Sequence, residues 1–207
     1  DGTSEEIEVF MKKSQNVKLI RRVGRRGLSG AIIEGIFASN ASLVGVMDCD
    51  LQHDETKLIE MLALFKKNTS LDLVIGSRFT EDGEISHGAF SKVREVASKT
   101  ITIIIKKLLY INSTDPLSGF FMVKKDSFLA HSKKLQTQGF KILADFLAVS
   151  GQNLEVIEIG YKFKNRVVGE SKMSLLTALE LIGLVLSQIF GGKVSIRFIL
   201  FCMVGVS

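Results

Sequence analysis

Two carboxylates spaced two residues apart, Asp48 and Asp50, directly follow the apolar run 43–47. If the backbone stays extended, both side chains point to one face and Cys49 points to the other. Ligands bind at the C-terminal ends of strands in an open α/β sheet, and carboxylate oxygens suit Mg²⁺ or Mn²⁺. The pair therefore predicts a divalent cation that holds a phosphorylated substrate. The alternative is a strand-end turn, in which the carboxylates cap the next helix.

The next two polar residues extend this group. In an extended chain Gln52 has the same parity as the two acids, so it would offer the cation a third oxygen donor. His53 is the weakest member, because a histidine here could face solvent or cap a helix as readily as bind a ligand. Asp48, Asp50 and Gln52 are therefore the predicted metal site.

A basic glycine loop, residues 24–30, precedes a predicted helix. Its glycines are three residues apart throughout, unlike the G-x-G-x-x-G pattern of dinucleotide-binding loops, so we do not expect a nicotinamide cofactor. Glycines before a helix N-terminus, together with two arginines, would suit a diphosphate. A basic loop exposed to solvent is the alternative.

Arg78 follows the predicted strand 73–76. We expect its guanidinium to point into the same cleft as the two acids, where it could hold phosphate oxygens. Arg94 and Ser98 lie four residues apart on one face of a predicted helix whose body is apolar, which would suit a phosphate beside a lipid tail. A surface helix whose basic side chains snorkel is the alternative.

The segment 166–172 supplies two cations, Arg166 and Lys172, across a glycine turn. It could act as a gate over a phosphate, or it could be a linker made basic by a nearby membrane surface. Two further acids, Asp115 and Asp145, could accept a proton from an acceptor hydroxyl. The alternatives are a structural cap for Asp115 and an exposed helix acid for Asp145.

The composition is that of a folded protein with anionic partners. The 207 residues are 46% hydrophobic and 24% charged, and 27 Lys and Arg against 22 Asp and Glu give a formal charge of +5. The chain has no Trp and only two Tyr, so nucleic acid is a disfavoured partner. Two cysteines imply no disulfide framework, which favours a reducing cytoplasmic setting.

Strands that alternate with helices predict an α/β fold, with a mostly parallel sheet covered on both faces. The first helix should begin at Thr3 or Ser4, which would provide its cap. The predicted strands are 17–20, 43–47, 73–76, 119–123 and 154–163, and the later predicted helices are 31–39, 56–67, 91–109 and 139–149.

The chain changes character after residue 172, which we predict as the end of a catalytic domain spanning 1–172. Residues 173–192 are very apolar, but their uncharged run is too short to cross a bilayer. They therefore predict a helix that lies in the membrane interface. Residues 193–207 predict the truncated start of a transmembrane domain. Both ends look cut from a longer protein, with a strand expected before Asp1.

Several short segments together resemble the family 2 glycosyltransferases of GT-A fold, and most closely the dolichol-phosphate mannose synthase group. The resemblance runs through nearly the whole chain. The segments that carry it are 26–28, 47–53, 76–78, Arg94 with Ser98, 115–121, 139–143 and 166–172.

This resemblance implies an inverting transfer of a hexose from a nucleotide sugar of the GDP-mannose or UDP-glucose type to a polyprenyl phosphate, dolichyl or undecaprenyl. It implies Mg²⁺ or Mn²⁺ as cofactor and a catalytic domain on the cytoplasmic side of a membrane. The acceptor is already an anion, so no strong general base is required. The alternatives are transfer of glucose from UDP-glucose, or of another sugar, to lipid phosphate, and transfer to a polysaccharide or a protein glycan. A further alternative is a membrane scaffold that binds nucleotide or lipid without chemistry.

The resemblance also implies roles for individual residues. The implied catalytic residues are Asp50, Arg78 and Asp145; the donor contacts are Gly27, Asp48, Asp50 and Arg78; the acceptor-phosphate contacts are Arg94, Ser98, Arg166 and Lys172. Three positions depart from the family pattern: Cys49 stands where Ala is usual, Asp145 where Glu is common, and Lys99 where Arg is usual.

Overall fold

The structure, a computed structural model, describes residues 2–24, 27–85, 102, 103, 106, 107, 109–137 and 141–165. The helices of the described residues include α1 (Thr3–Met11), α2 (Leu28–Ala38), α3 (Lys57–Lys67), α4 (Lys125–His131) and α5 (Ile142–Ser150), with a 3₁₀ turn at Ser132–Lys134. The strands are β1 (Leu43–Val46), β2 (Leu73–Ser77), β3 (Glu84–Ile85), β4 (Phe121–Lys124), β5 (Val156–Gly160) and β6 (Lys162–Phe163).

The main sheet is mixed, with strand order β1-β4-β2-β5. Strand β4 runs antiparallel to both of its neighbours, pairing Val123 with Val44 and Phe121 with Ile75. Strands β2 and β5 are parallel. Among the described strands of this sheet, β1, β2 and β5 therefore run in one direction, as predicted, and β4 runs against them. The sheet is mixed, which the sequence did not predict, because a period-2 pattern is the same for either strand direction. A second, two-stranded sheet pairs β3 with β6 in parallel.

Both faces of the main sheet are covered, as the sequence predicts. On one face Leu73, Ile75 and Phe121 pack with residues of α2 and α5. On the other face Val74 and Phe120 belong to a cluster that includes residues of α3. Every residue of β2 is buried, so this strand holds the end that carries Arg78 in a fixed place.

Several predicted boundaries need correction. Residues 17–20 form no strand among the described residues. The predicted strand 154–163 breaks at Tyr161, so that β5 and β6 lie in different sheets. Helix α1 has Gly2 as its N-cap residue, at φ 80°, where Thr3 or Ser4 was predicted. Helix α2 starts three residues earlier than predicted, after Gly27 at φ 108°. Helix α4, directly after β4, was not predicted.

Within the described residues, no helix combines the length and the apolar character needed to cross a membrane. The predicted segments 173–192 and 193–207 lie outside the described residues, as does most of the predicted helix 91–109.

Candidate active site

The loop after β1 carries the two predicted metal-binding acids. The strand ends at Val46, and Leu51 has φ 63°, so the backbone is bent and not extended across this loop. Asp48 and Asp50 are half-buried, while Cys49 is exposed. The parity argument that grouped Gln52 with the acids therefore does not hold here.

Gln52 is buried, and its side chain is engaged with a distant segment. Its Nε2 donates to the Lys164 carbonyl oxygen at 3.0 Å, and the Lys164 N–H donates to the Gln52 carbonyl at 2.8 Å. The Gln52 N–H donates to Asp50 Oδ1 at 3.2 Å. These contacts fasten the loop to residue 164 through Gln52. Cation binding by its amide oxygen stays a prediction.

His53 neither faces solvent nor caps a helix; it is 5% exposed. Its ring stacks on Phe120 with 5.3 Å between centroids, and Tyr161 and Phe163 contact it from other sides. Its Nδ1 accepts the Asp48 N–H at 3.2 Å. Burial lowers the pKa of His53 against the opposing charges of Asp48 and Asp50. The neutral ring is thus the form that can accept this hydrogen bond.

The Asp48 carboxylate lies directly against the backbone of Gly119. A Cβ at that position would come within 2.5 Å of Asp48 Oδ2. Only glycine leaves room for the carboxylate as it stands, so the segment before β4 helps to shape the site.

The alternative in which the two acids cap α3 is not what the structure has. The carboxylate that bonds to the start of α3 is that of Asp54. Its Oδ1 accepts the N–H of Thr56, the N-cap residue, at 3.2 Å and the Thr56 hydroxyl at 2.7 Å. These hydrogen bonds, chiefly the one from the hydroxyl, lower the pKa of Asp54. Asp48 and Asp50 therefore lie outside the capping contacts of the next helix.

Arg78 and Asp115 form a bidentate ion pair. The guanidinium Nε and Nη2 donate to the two carboxylate oxygens at 2.7 and 2.8 Å, and the Arg78 backbone N–H adds a third bond at 3.2 Å. Asp115 is fully buried. Burial alone would lower the pKa of Arg78, but the hydrogen bonds and charge of Asp115 outweigh it and the pKa is raised. Asp115 is thus a structural partner of Arg78 at the end of β2 and not an accessible base.

The guanidinium also lies over two aromatic rings, 5.2 Å from the centroid of Phe79 and 5.5 Å from that of Phe163. Phe163 contacts His53 as well, so one aromatic group supports both Arg78 and the loop of the two acids. The Asp48 charge also contributes to the raised Arg78 pKa. That Arg78 shares a cleft with both acids stays a prediction.

Asp145 is buried, not an exposed helix acid. It lies in the first turn of α5, and its Oδ2 accepts the Gln136 N–H at 2.6 Å. Helix α5 packs on the face of the sheet opposite to His53. The structure therefore gives Asp145 a contact with the loop before α5, and its catalytic role stays a prediction.

Gly27 is the N-cap of α2, and its carbonyl accepts a hydrogen bond from Arg22 Nη1 at 2.8 Å. The predicted contacts Arg94, Ser98, Arg166 and Lys172 lie outside the described residues, as do Arg26 and Lys99.

The residues that sequence reasoning missed are Tyr161 and Glu158. Tyr161 is 1% exposed, and burial raises the pKa of its hydroxyl, with Arg78 opposing and Asp115 and Asp48 adding to the effect. Glu158 stands between Ile157 and Ile159 on β5. A charge within an apolar strand was the available signal, because such a group needs a partner.

Asp48 and Asp50 suit a hard divalent cation as a pair. Mg²⁺ is commonly held by one or two carboxylates and completed by water and substrate phosphates. In the part of the chain that the structure describes, no group of three or more His, Cys, Asp or Glu residues could hold a metal ion. Two carboxylates with Gly119 beside them therefore fit a cation that arrives with its phosphorylated substrate, rather than a fully protein-bound one.

Comparison with solved structures identifies the fold. Glucosyl-3-phosphoglycerate synthase from Mycobacterium tuberculosis, in complex with Mn²⁺, UDP-glucose and phosphoglyceric acid, superposes with a TM-score of 0.61 at 15% identity. The match covers 91% of this chain and 64% of that one. The structure is thus a GT-A glycosyltransferase fold with a mixed sheet, which confirms that part of the predicted fold class.

The family follows from the sequence comparisons. Residues 1–131 match the model of glycosyl transferase family 2, and the chain belongs to that family. It is 33% identical over 184 residues to the dolichol-phosphate mannosyltransferase of Pyrococcus furiosus, covering 87% of this chain and 49% of the relative. It is 30% identical over 174 residues to that of Mycosarcoma maydis, covering 84% and 58%.

A relative from Micrococcus luteus is named for a different acceptor. The undecaprenyl-phosphate mannosyltransferase of Micrococcus luteus is 26% identical over 179 residues, covering 84% of this chain and 72% of the relative. The chain spans about half the length of the Pyrococcus relative. The resemblance to the dolichol-phosphate mannose synthase group is confirmed at the level of family and relatives.

Proposed function

We propose that the protein transfers a hexose, with inversion at the anomeric carbon, from a nucleotide sugar to a polyprenyl phosphate. GDP-mannose is the proposed donor, and a dolichyl or undecaprenyl phosphate is the proposed acceptor. The names of the relatives support this, since they are mannosyltransferases of dolichol phosphate and undecaprenyl phosphate. The observation that carries the proposal is that Phe163 contacts both Arg78, which is paired with Asp115, and His53, which binds the Asp48 N–H.

Asp48 and Asp50 would hold Mg²⁺ or Mn²⁺ against the donor diphosphate. The cation would neutralise charge that develops on the leaving diphosphate. His53 and Gly119 orient Asp48 through a backbone hydrogen bond and a close backbone contact. Fixed donors and charges of this kind stabilise a transition state without reorganising during the reaction.

Arg78 would supply a permanent positive charge to the phosphates while it stays paired with Asp115. Its guanidinium has five N–H groups, of which Nε–H and one N–H of Nη2 bind the carboxylate. Because Asp115 is occupied by Arg78, it is a poor candidate for a general base. This agrees with an acceptor that is a phosphate anion and needs little deprotonation.

The acceptor side of the proposal lies outside the described residues. Arg94, Ser98, Arg166 and Lys172 would contact the lipid phosphate, and the segment 173–192 would lie in the interface of the cytoplasmic leaflet. In this proposal residues 1–172 are the catalytic domain and residues 193–207 begin a membrane domain. A phosphate with a long apolar tail would thereby reach the site from the membrane surface.

The test is a transfer assay with the full-length protein, Mg²⁺ or Mn²⁺, and dolichyl phosphate in phosphatidylcholine vesicles. GDP-mannose should give a mannosylated lipid with inverted anomeric configuration, and Asp50→Asn should abolish the product. Asp126→Asn, the same change at an exposed position on α4, is the matched control and should retain activity. Product from Asp50→Asn at the wild-type rate, or no lipid product from any nucleotide sugar, would overturn the proposal.

A further inference from the structure

Glu158 accepts hydrogen bonds from two consecutive residues just before Asp115. Its Oε1 accepts the Ser113 hydroxyl at 2.5 Å and the Thr114 N–H at 2.8 Å. Its Oε2 accepts the Thr114 hydroxyl at 2.5 Å. Strand β5 thereby holds the segment that leads into the Arg78–Asp115 pair. None of the site roles above uses Glu158.

These bonds continue in one direction toward Asp115. An ionised carboxylate has acceptors but no proton, so the single proton of the Ser113 hydroxyl is given to Glu158. The Ser113 oxygen is then left to accept the Asp115 backbone N–H, at 3.2 Å. We call Glu158, Ser113 and the Asp115 N–H the first arm.

A second arm runs toward Arg78. Because Thr114 gives its hydroxyl proton to Glu158, the Ser77 hydroxyl must donate to Thr114, over 2.6 Å. The Ser77 oxygen then accepts the Phe79 N–H at 3.1 Å. Ser77 and Phe79 are the two chain neighbours of Arg78. We call Glu158, Thr114, Ser77 and the Phe79 N–H the second arm.

We infer that Glu158 is a positioning residue for the Arg78–Asp115 pair, because one carboxylate sets the direction of the hydrogen bonds that fix both partners' backbones. The inference rests on the proposed function in so far as Arg78 serves the transfer reaction. Glu158 itself acts through other groups, from β5.

The position of the Arg78–Asp115 pair depends on how its backbone is held. Asp115 is fully buried and Ser77 is also fully buried, so neither backbone can relax into solvent. A displaced charge that contacts the reacting phosphates can lower a rate by as much as about 100-fold for a shift of roughly 1 Å. Losing the direction of one arm should therefore affect turnover more than folding.

Glu158→Gln isolates this effect, because glutamine keeps the shape but replaces one acceptor oxygen by an NH₂ donor. With NH₂ in place of Oε2, the Thr114 hydroxyl meets a donor and loses its acceptor. With NH₂ in place of Oε1, the Ser113 hydroxyl loses its acceptor in the same way. Either orientation of the amide therefore removes the acceptor that sets the direction of one arm.

The experiment compares full-length wild type, Glu158→Gln and Glu155→Gln by hydrogen exchange and by the transfer assay. Glu155 is the matched control, an exposed glutamate just before β5 that bonds to Asn68 and Ser70. In Glu158→Gln we expect faster exchange confined to peptides 77–80 or 113–116, and kcat lower by about 10- to 100-fold with the donor KM nearly unchanged. Glu155→Gln should change neither.

Unchanged exchange in both peptides of Glu158→Gln overturns the inference, whatever the enzyme does. Faster exchange with a wild-type kcat overturns it too, since the arms would then be structural only. If wild type transfers no sugar at all, the proposed function fails, and the catalytic part of the inference fails with it. The exchange result still shows whether Glu158 fixes the two arms.

Thr114 variants cover the case in which Glu158→Gln does not fold. Thr114→Val removes the hydroxyl of the second arm, whereas Thr114→Ser keeps it. We expect faster exchange in peptide 77–80 and a lower kcat in Thr114→Val, and recovery of most of both in Thr114→Ser. Equal loss in the two variants would overturn the inference, because the methyl group and not the hydroxyl would then matter.

Discussion

Arg78 and Asp115 are joined by two side-chain hydrogen bonds of 2.7 and 2.8 Å, although 36 residues separate them in the chain. The carboxylate is fully buried, and only 12% of the arginine side chain is exposed. A buried pair of this kind is costly to break and contributes little net stability, because desolvation offsets the attraction. Its retention at the end of β2 therefore points to a use of the charge in the site.

Stability and activity should separate when the pair is removed. Asp115→Ala leaves an uncompensated buried cation, which should lower the free energy of unfolding by about 3–5 kcal/mol. The double variant Arg78→Met with Asp115→Leu should recover most of that loss, yet transfer no sugar. Urea unfolding and the transfer assay measure the two quantities. A double variant that keeps activity would show that the charge is dispensable.

A methyl group at Gly119 should disable Asp48 without unfolding the protein. Gly119→Ala places Cβ within 2.5 Å of Asp48 Oδ2, so the carboxylate must turn away. We expect weaker Mn²⁺ binding in the presence of GDP, by about tenfold or more, since one lost carboxylate contact is worth roughly 1.5–3 kcal/mol. Titration calorimetry measures this affinity.

The control for that variant is Gly35→Ala on α2, where a Cβ would meet nothing within 4 Å. Alanine has the higher helix propensity, so this change should leave binding intact and raise stability by roughly 0.5–1 kcal/mol. Equal Mn²⁺ affinity in the two variants would argue against Asp48 as a ligand.

The sequence predicts those features that depend on a single segment. An apolar run that ends in acids marks the end of β1, and helical spacing places α3 over 57–67, close to the predicted 56–67. The resemblance to the family likewise depends on short local motifs, and it is confirmed.

Features made by distant segments were not predictable in the same way. The Asp115 partner of Arg78 comes from another part of the chain, and sequence alone offered Asp115 only as a cap or a base. The burial of His53 depends on Phe120 and Tyr161, which reach it only in the folded sheet. The direction of β4 also depends on its path between β1 and β2 and not on its own residues.

Two variants of His53 should separate its packing from its hydrogen bond. His53→Phe keeps an aromatic ring on Phe120 but removes the acceptor of the Asp48 N–H. His53→Asn keeps an acceptor near the position of Nδ1 but loses the ring, whose pairing is worth about 0.5–1.5 kcal/mol per aromatic contact. We expect Phe to be the more stable variant and Asn the more active.

Urea unfolding ranks the two variants by stability, and the transfer assay on the same preparations ranks them by activity. If the variant with the aromatic ring were also the more active, the hydrogen bond to Asp48 would have no role in orienting the loop.

Tyr161 should make the protein lose stability at alkaline pH. Burial raises the pKa of its hydroxyl, whereas tyrosine in an unfolded chain titrates near pH 10. Above about pH 10 the unfolded state therefore binds fewer protons than the native state, and the free energy of unfolding should fall by up to roughly 1.4 kcal/mol per pH unit. Below that pH both states are protonated, and this contribution is constant.

Tyr161→Phe should remove this part of the fall in stability, while Tyr110→Phe, at a position that is 85% exposed, should leave it in place. Urea unfolding between pH 9 and 11 measures the slope, and equal slopes in wild type and Tyr161→Phe would contradict the assignment.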